Sequence, residues 1–329
     1  MKITLVGAGA IGGWIGARLA AQGHTLSALA RGQTLAVLQT QGLTLCEGGS
    51  ERGVRVPLRA VALEDAAQLG GQDCVIVALK APALPQVAAQ IAPLIGANTV
   101  VLTAMNGVPW WFLNGFGGEL AGRSLASVDP GGVIAKAIPA GAVVGAVIHA
   151  SCSSPQPGVV QHHFGQGLVI GEPSGQDTPR LQAIAQALKD AAFDVTVSGC
   201  IQKDTWFKLW GNMTMNPISA ITGATTDRIL ADDEVRAFVS AVMREAKAVG
   251  EKLGIAIPMQ PEDRHQVTLK LGAFKTSMLQ DVEAGKPVEL DALVGVVREL
   301  AQMANVPTPF TDALYGLTRL MSRTRGLYE

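Results

Sequence analysis

Lys208, Asn212 and Asn216 recur every four residues in the segment Lys203-Asp204-Thr205-Trp206-Phe207-Lys208-Leu209-Trp210-Gly211-Asn212-Met213-Thr214-Met215-Asn216-Pro217. A helix there sets one lysine and two amides along a single face. Trp206, Phe207, Leu209, Trp210, Met213, Met215 and Ile218 would bury most of such a helix. A polar stripe on it is costly unless it lines a wet cleft or finds partners. The chemistry that wants a lysine here is proton donation: hydride arriving at a ketone carbon leaves an alkoxide, which a nearby ammonium stabilises and protonates. Asparagine does not titrate usefully and suits fixed hydrogen bonds to a carboxylate or hydroxyl. The alternative is a lysine snorkelling out of a buried helix, with the asparagines satisfying their neighbours. Pro217 cannot donate to the Met213 carbonyl and disfavours helical geometry at Asn216, which predicts a kink or break there.

A hydride donor has an evident place. Gly7-Ala8-Gly9-Ala10-Ile11-Gly12 matches GxGxxG directly after the strand-like run Ile3 to Val6 and before the helical run Trp14 to Ala21. In that context Gly7 permits the tight turn, Gly9 lets the backbone approach a pyrophosphate, and Gly12 lets helix and strand pack closely. A glycine-rich turn without a ligand is the plainer reading. At the end of the next strand an acid would bind the ribose 2′-hydroxyl of NAD, but the chain reads Ser27-Ala28-Leu29-Ala30-Arg31-Gly32. Arg31 can offer a planar fork to the 2′-phosphate of NADPH, or lie on the surface. Lys80 and Asn106 follow two further strand-like runs, where ligands collect in wound sheets, although either could cap a helix or face solvent.

The elements that must position these groups fall into two halves. Parallel strands joined by crossover helices are expected from Ile3–Val6, Thr25–Ala30, Cys74–Leu79 and Thr99–Ala104, each apolar enough to be buried on both faces. Gly42–Leu45 and Gly53–Pro57 suggest an inserted hairpin. Val143–His149, Val159–His163 and Leu168–Ile170 suggest an antiparallel edge. After the polar stretch 172–177 helical periodicity predominates, at about 178–192, 203–222, 232–253, 262–284 and 288–304. The fold class expected is α/β, an N-terminal Rossmann-type doubly wound domain over 1–175 followed by an all-α domain over 176–329.

Composition narrows the partners. The 329 residues are 48% hydrophobic and 16% charged, which favours two well-buried domains over disorder. With 26 basic residues against 27 acids there is no field to recruit nucleic acid or anionic lipid, so a small molecule is the expected partner. Cys46, Cys74, Cys152 and Cys200 form no CxxC pair and signal neither zinc nor a disulfide framework. Neither a signal peptide nor an apolar run of roughly 20 residues is present, so a cytoplasmic protein without a membrane span is expected. Helical second domains often supply dimer contacts, which makes a homodimer the oligomer to consider. His24, His149, His162, His163 and His265 form no constellation that would support histidine catalysis.

Taken together, these residues resemble the ketopantoate reductase (2-dehydropantoate 2-reductase) family over nearly the whole chain. The resemblance is carried by Met1-Lys2-Ile3 with Gly7 to Gly12, Arg31, Lys80, Asn106-Gly107, the Lys208 to Pro217 segment, and Ser277-Met278-Leu279-Gln280-Asp281 followed by Glu289. It implies reduction of 2-dehydropantoate to pantoate with NADPH in pantothenate biosynthesis, or of a related branched 2-oxo acid, between a Rossmann and a helical domain. It further implies that Lys208 is the general acid and Glu289 its assistant. Asn212, Asn216 and Ser277 would contact substrate, and Lys80 and Asn106 would lie near nicotinamide and substrate. Without the family, Glu289 reads as a first-turn acid favoured by a helix dipole, and Ser277 as a surface residue. Thr226 and Phe274 stand where pantoate-forming members carry further asparagines, a loss of two amides that could shift substrate preference. Trp110 and Trp111 could narrow the pocket or pack in the core. An opine or glycerol-phosphate type dehydrogenase would need a second basic site that the chain lacks. A cofactor-sensing module would not need Lys208.

Overall fold

Apolar runs too short for helices and buried along their length become the middle of a parallel sheet. In the computed structural model, which describes residues 1–50 and 52–329, the strands are β1 (Lys2–Val6), β2 (Thr25–Ala30), β3 (Leu43–Cys46), β4 (Val54–Val56), β5 (Arg59–Ala62), β6 (Cys74–Val77), β7 (Val100–Thr103), β8 (Val143–Gln156), β9 (Val159–Gly171) and β10 (Asp194–Val197). Their order across the sheet is β4-β3-β9-β8-β7-β6-β1-β2-β5, with β10 added to β9. β1 is parallel to both β2 and β6, with Ile3 opposite Leu26 on one side and Cys74 on the other. The chain winds outward from β1 in both directions, so the loop after β1 sits at the switch point where doubly wound sheets bind ligands.

The sheet differs from expectation where pairing is long-range. β8 and β9 form one long antiparallel pair with irregularities near His149, Ser151 and Ser153. This pair is not an edge: β3 pairs with β9 at Val159–Gln161, and β10 pairs with it at Gly167–Ile170. Bulges bend such strands and allow different stretches to serve different neighbours. The expected hairpin is present as antiparallel β3 and β4, with Leu43 opposite Val56. β5 and β10 were not foreseen.

Helices α1 (Ala10–Ala21), α2 (Gly32–Gln41), α3 (Leu84–Ile91), α4 (Val133–Ala137) and α5 (Pro179–Asp190) accompany the sheet. Trp14 anchors α1, stacked on His162 of β9 at 5.0 Å and edge-on to Phe193 at 4.8 Å. These elements make one unit, Met1–Met105 with Gly131–Asp204; the other is Asn106–Pro130 with Thr205–Glu329. The division departs from the boundary expected after residue 175 for two physical reasons. Leu181, Ile184, Leu188 and Phe193 belong to the core of the sheet unit. The stretch after β7 leaves that unit: Phe112 packs on Trp206 at 6.0 Å, and the Glu299 carboxylate accepts hydrogen bonds from the N–H groups of Ala126 and Ser127. Trp110 and Trp111 are both buried.

The second unit is helical, with α6 (Ile201–Thr222, entering from the first unit), α7 (Thr226–Ala231), α8 (Asp233–Lys252), α9 (Pro261–Leu269), α10 (Ser277–Glu283), α11 (Val296–Met303) and α12 (Pro309–Thr324). α6 does not break at Pro217 but continues to Thr222. Proline costs a helix interior about 3 kcal/mol, yet residues 213–220 are all buried, and their packing outweighs that cost. Trp210 satisfies its indole N–H on the Met243 carbonyl of α8 at 2.7 Å. The helix expected over 262–284 is two: Gly272 turns at φ +62°, and Thr276 caps α10 by accepting from the Leu279 N–H. The helix expected over 288–304 opens with a π turn, Asp291–Gly295. Among the described residues no helix is long and apolar enough to cross a membrane, and no cluster of ligating side chains could hold a metal ion.

Candidate active site

In the sheet unit, Gly7 adopts φ +102°, and a Cβ there would lie 2.7 Å from the Ala78 carbonyl oxygen. A Cβ on Gly12 would fall 2.1 Å from the Gly7 oxygen, whereas one on Gly9 would meet nothing within 4 Å. Two glycines are thus required by the protein's own packing. The third faces open space, as a backbone must where a pyrophosphate approaches. Gly9 is also the N-cap of α1; no side chain caps that helix and no acid stands in its first turn. With Ala8 before it and Ala10 and Ile11 in the first turn, the loop presents unencumbered N–H groups suited to an anion. A dinucleotide phosphate therefore fits the residues present.

Arg31 is exposed at the N-cap of α2, whose first turn also lacks an acid. It shares a cleft with Gly9, Ala30, Thr34, Gln86 and Ser154. Thr34, three residues past Arg31, was within reach of sequence reasoning. Ser154 arrives from β8 and carries no local signal. Lys80 follows Leu79, another cleft residue, and is half-buried at the N-cap of a short 3-10 turn.

In the helical unit, the Lys208 ammonium donates to Asn106 Oδ1 at 2.9 Å. Asn106 is delivered by a loop that only glycine can complete: Gly107 has φ +82°, and a Cβ there would lie 2.3 Å from the Ala292 carbonyl oxygen. The Val108 N–H donates to the same carbonyl at 3.0 Å, so the loop is docked on the π turn. Glu289 lies three residues before Ala292 and is only 7% exposed. Burial pushes the Lys208 ammonium down to about 8, and the Glu289 charge opposes that fall. Although part of the lysine surface remains accessible, desolvation of the ammonium is the larger effect.

Asn212 and Asn216 follow Lys208 at one and two helical turns on α6. Asn216 is 5% exposed, yet among the described residues neither amide has a hydrogen-bond partner in the protein. Buried amides are ordinarily satisfied, so the unengaged Asn216, with the half-buried Asn212 between it and Lys208 on α6, marks a place for a polar ligand. Ser277 is exposed at the first position of α10, and its hydroxyl is likewise unengaged. Contact and electrostatics join Lys208, Asn106 and Glu289, periodicity adds Asn212 and Asn216, and Ser277 is not tied to them by a bond. The arrangement can hold a carboxylate or hydroxyl and deliver one proton.

Residues 3–110 match the model of the ketopantoate reductase PanE/ApbA family, and residues 200–322 match its C-terminal counterpart. A 2-dehydropantoate 2-reductase of Mesorhizobium japonicum is 45% identical over 330 residues, covering 100% of both chains. A Ralstonia solanacearum MolK2 crystal structure assigned to ketopantoate reductase is 53% identical, with a TM-score of 0.94 over 99% of each chain. A D-mandelate dehydrogenase solved with NADH and anilino(oxo)acetate shares the fold at 20% identity, with a TM-score of 0.84 over 99% of this chain and 100% of that one. On the two family matches and the full-length relative, the chain belongs to the ketopantoate reductase family.

Proposed function

We propose that this chain reduces 2-dehydropantoate to pantoate with NADPH, the assignment carried by the full-length relative. The observation that most supports it is the buried Lys208 ammonium, bonded to Asn106 and under the influence of the Glu289 charge, with two unengaged amides one and two helical turns further along α6. When bound, the dinucleotide would be the source of hydride for the ketone carbon. Lys208 then gives its proton to the oxygen that becomes the alkoxide, and regains one from solvent. The Glu289 charge opposes the desolvation of that ammonium, and Asn212, Asn216 and Ser277 hold the carboxylate and hydroxyl of the keto acid. In this reading Gly7 to Gly12 seat the pyrophosphate, Arg31 takes the 2′-phosphate, and Lys80 and Asn106 are assigned to the nicotinamide and substrate.

A second reading, another branched or aromatic 2-oxo acid, is favoured by one observation. The Thr226 hydroxyl donates to the Gly272 carbonyl at 3.0 Å, and the Thr226 N–H to the Phe274 carbonyl at 3.0 Å. Neither donor remains for a substrate hydroxyl, which weakens discrimination for a hydroxylated acid. Steady-state oxidation of NADPH with ketopantoate and a panel of 2-oxo acids separates the readings by the ranking of kcat/KM. No turnover with any acid would overturn both. For the cofactor, Arg31→Ala is expected to raise KM for NADPH about tenfold or more and KM for NADH by less than about twofold. Equal effects on the two would remove the phosphate role.

A further inference from the structure

Glu289 is bracketed by contacts from residues nearly forty positions further along the chain. On one side of it the Val288 N–H donates to the Leu327 carbonyl at 3.2 Å. On the other, the Asp291 carboxylate accepts from the Tyr328 hydroxyl, 2.9 Å from each of its oxygens, and from the Tyr315 hydroxyl at 3.0 Å. The two hydroxyls are 3.1 Å apart. The tyrosines are themselves fixed: Arg298 and Arg319 stack on Tyr315 at 4.4 and 5.3 Å, and Arg323 lies 5.6 Å from the Tyr328 ring. Burial, Tyr315 and Asp291 raise the Tyr328 phenol well above its ordinary range, so it remains a donor at any working pH.

Asp291 opens the π turn Asp291–Gly295, and Gly295 leaves room for its carboxylate, since a Cβ there would lie 2.8 Å from Asp291 Oδ1. A π turn holds one residue more than an α turn and persists only where its surroundings impose it. Removing that extra residue would rotate what precedes the turn by about 100° relative to the helix that follows. Glu289, two residues before the turn, would swing with it. We propose that Leu327 and Tyr328 form a strap that positions Glu289 against Lys208, with Tyr328 acting through Asp291 and the π turn. The inference rests on the reductase reading for its meaning, but its geometry lies wholly within the helical unit.

The test is a double-mutant cycle in the full chain between Tyr328→Phe and Glu289→Gln, with Asp291→Asn as a second, near-isosteric way to weaken the strap. Two quantities are read: kcat and KM, and the titration of Lys208 followed by the pH dependence of amine labelling and mass spectrometry. Tyr328→Phe is expected to lower kcat about tenfold with KM for the dinucleotide within about twofold. The Lys208 titration moves down, in the direction Glu289→Gln moves it. In the Glu289→Gln background the same substitution changes kcat by less than about twofold. An equal loss in both backgrounds, or a Lys208 titration that does not move in either strap variant, would overturn the strap. An unmutated chain inactive on every 2-oxo acid would overturn the reductase reading instead, and the labelling experiment would still decide the strap because it needs no substrate.

Discussion

Replacing Lys208 by alanine is expected to lower turnover by about a thousandfold while the Kd for the dinucleotide stays within about twofold. The separation follows from where the groups lie. The glycine loop and Arg31 belong to the sheet unit, whereas Lys208, Asn106 and Glu289 belong to the helical one. An alkoxide without a positioned donor must take its proton from water, which forfeits the usual gain from a general acid. The pH profile carries the same signature. In the proposed role Lys208 acts as the ammonium, and burial brings that group down to about 8, so kcat for reduction should be flat below that value and fall tenfold per pH unit above it. Glu289→Gln removes the charge that opposes desolvation and should move this limb to lower pH. Stopped-flow oxidation of NADPH and a fluorescence titration provide both measurements. A Lys208→Ala enzyme within about tenfold of the parent would remove the lysine from the chemistry.

Gly12→Ala should be the most damaging small substitution in the sheet unit. Its Cβ would lie 2.1 Å from the Gly7 carbonyl oxygen and 3.0 Å from the Ala78 Cβ, so the loop or α1 must shift. Overpacking of this kind costs about 1–3 kcal/mol, which in a domain of this size lowers Tm by about 5 °C. Dinucleotide affinity should fall by about a hundredfold or more, because the part displaced is the loop proposed to seat the pyrophosphate. Gly9→Ala supplies the contrast. Nothing lies within 4 Å of its added methyl group, so Tm should hold within about 1 °C. Binding should still weaken, because the methyl would occupy the space proposed for the phosphate. Thermal melts and titrations of both variants test this. A Gly9→Ala protein that binds NADPH normally would place the pyrophosphate elsewhere.

The local patterns were legible from residues alone. GxGxxG between a strand and a helix, Arg31 where an acid would otherwise stand, and a lysine followed by asparagines at helical spacing depend only on neighbours within a few turns. The structure places them in the loop after β1 and the first turn of α1, at the N-cap of α2, and on α6. What was not legible depends on partners distant in sequence. The lengths of β8 and β9, and the further partners β3 and β10 of β9, come from pairings that no local periodicity encodes. The transfer of 106–130 to the helical unit rests on Phe112 meeting Trp206 and on Glu299 holding Ala126 and Ser127. The uninterrupted α6 shows burial overriding a proline whose local effect is to break a helix.

By itself the sequence determined which chemistry-bearing residues exist and which face of which element carries each, because side-chain period follows from backbone geometry. Only the tertiary structure decided that Asn106 bonds Lys208, that Glu289 opposes its desolvation, and that a π turn pinned by two tyrosines lies beside that acid. Those facts arise from chain segments between 24 and 102 residues apart being packed together. The depression of the Lys208 ammonium follows from the water that packing excludes, a property of the folded volume that spacing along the chain does not record.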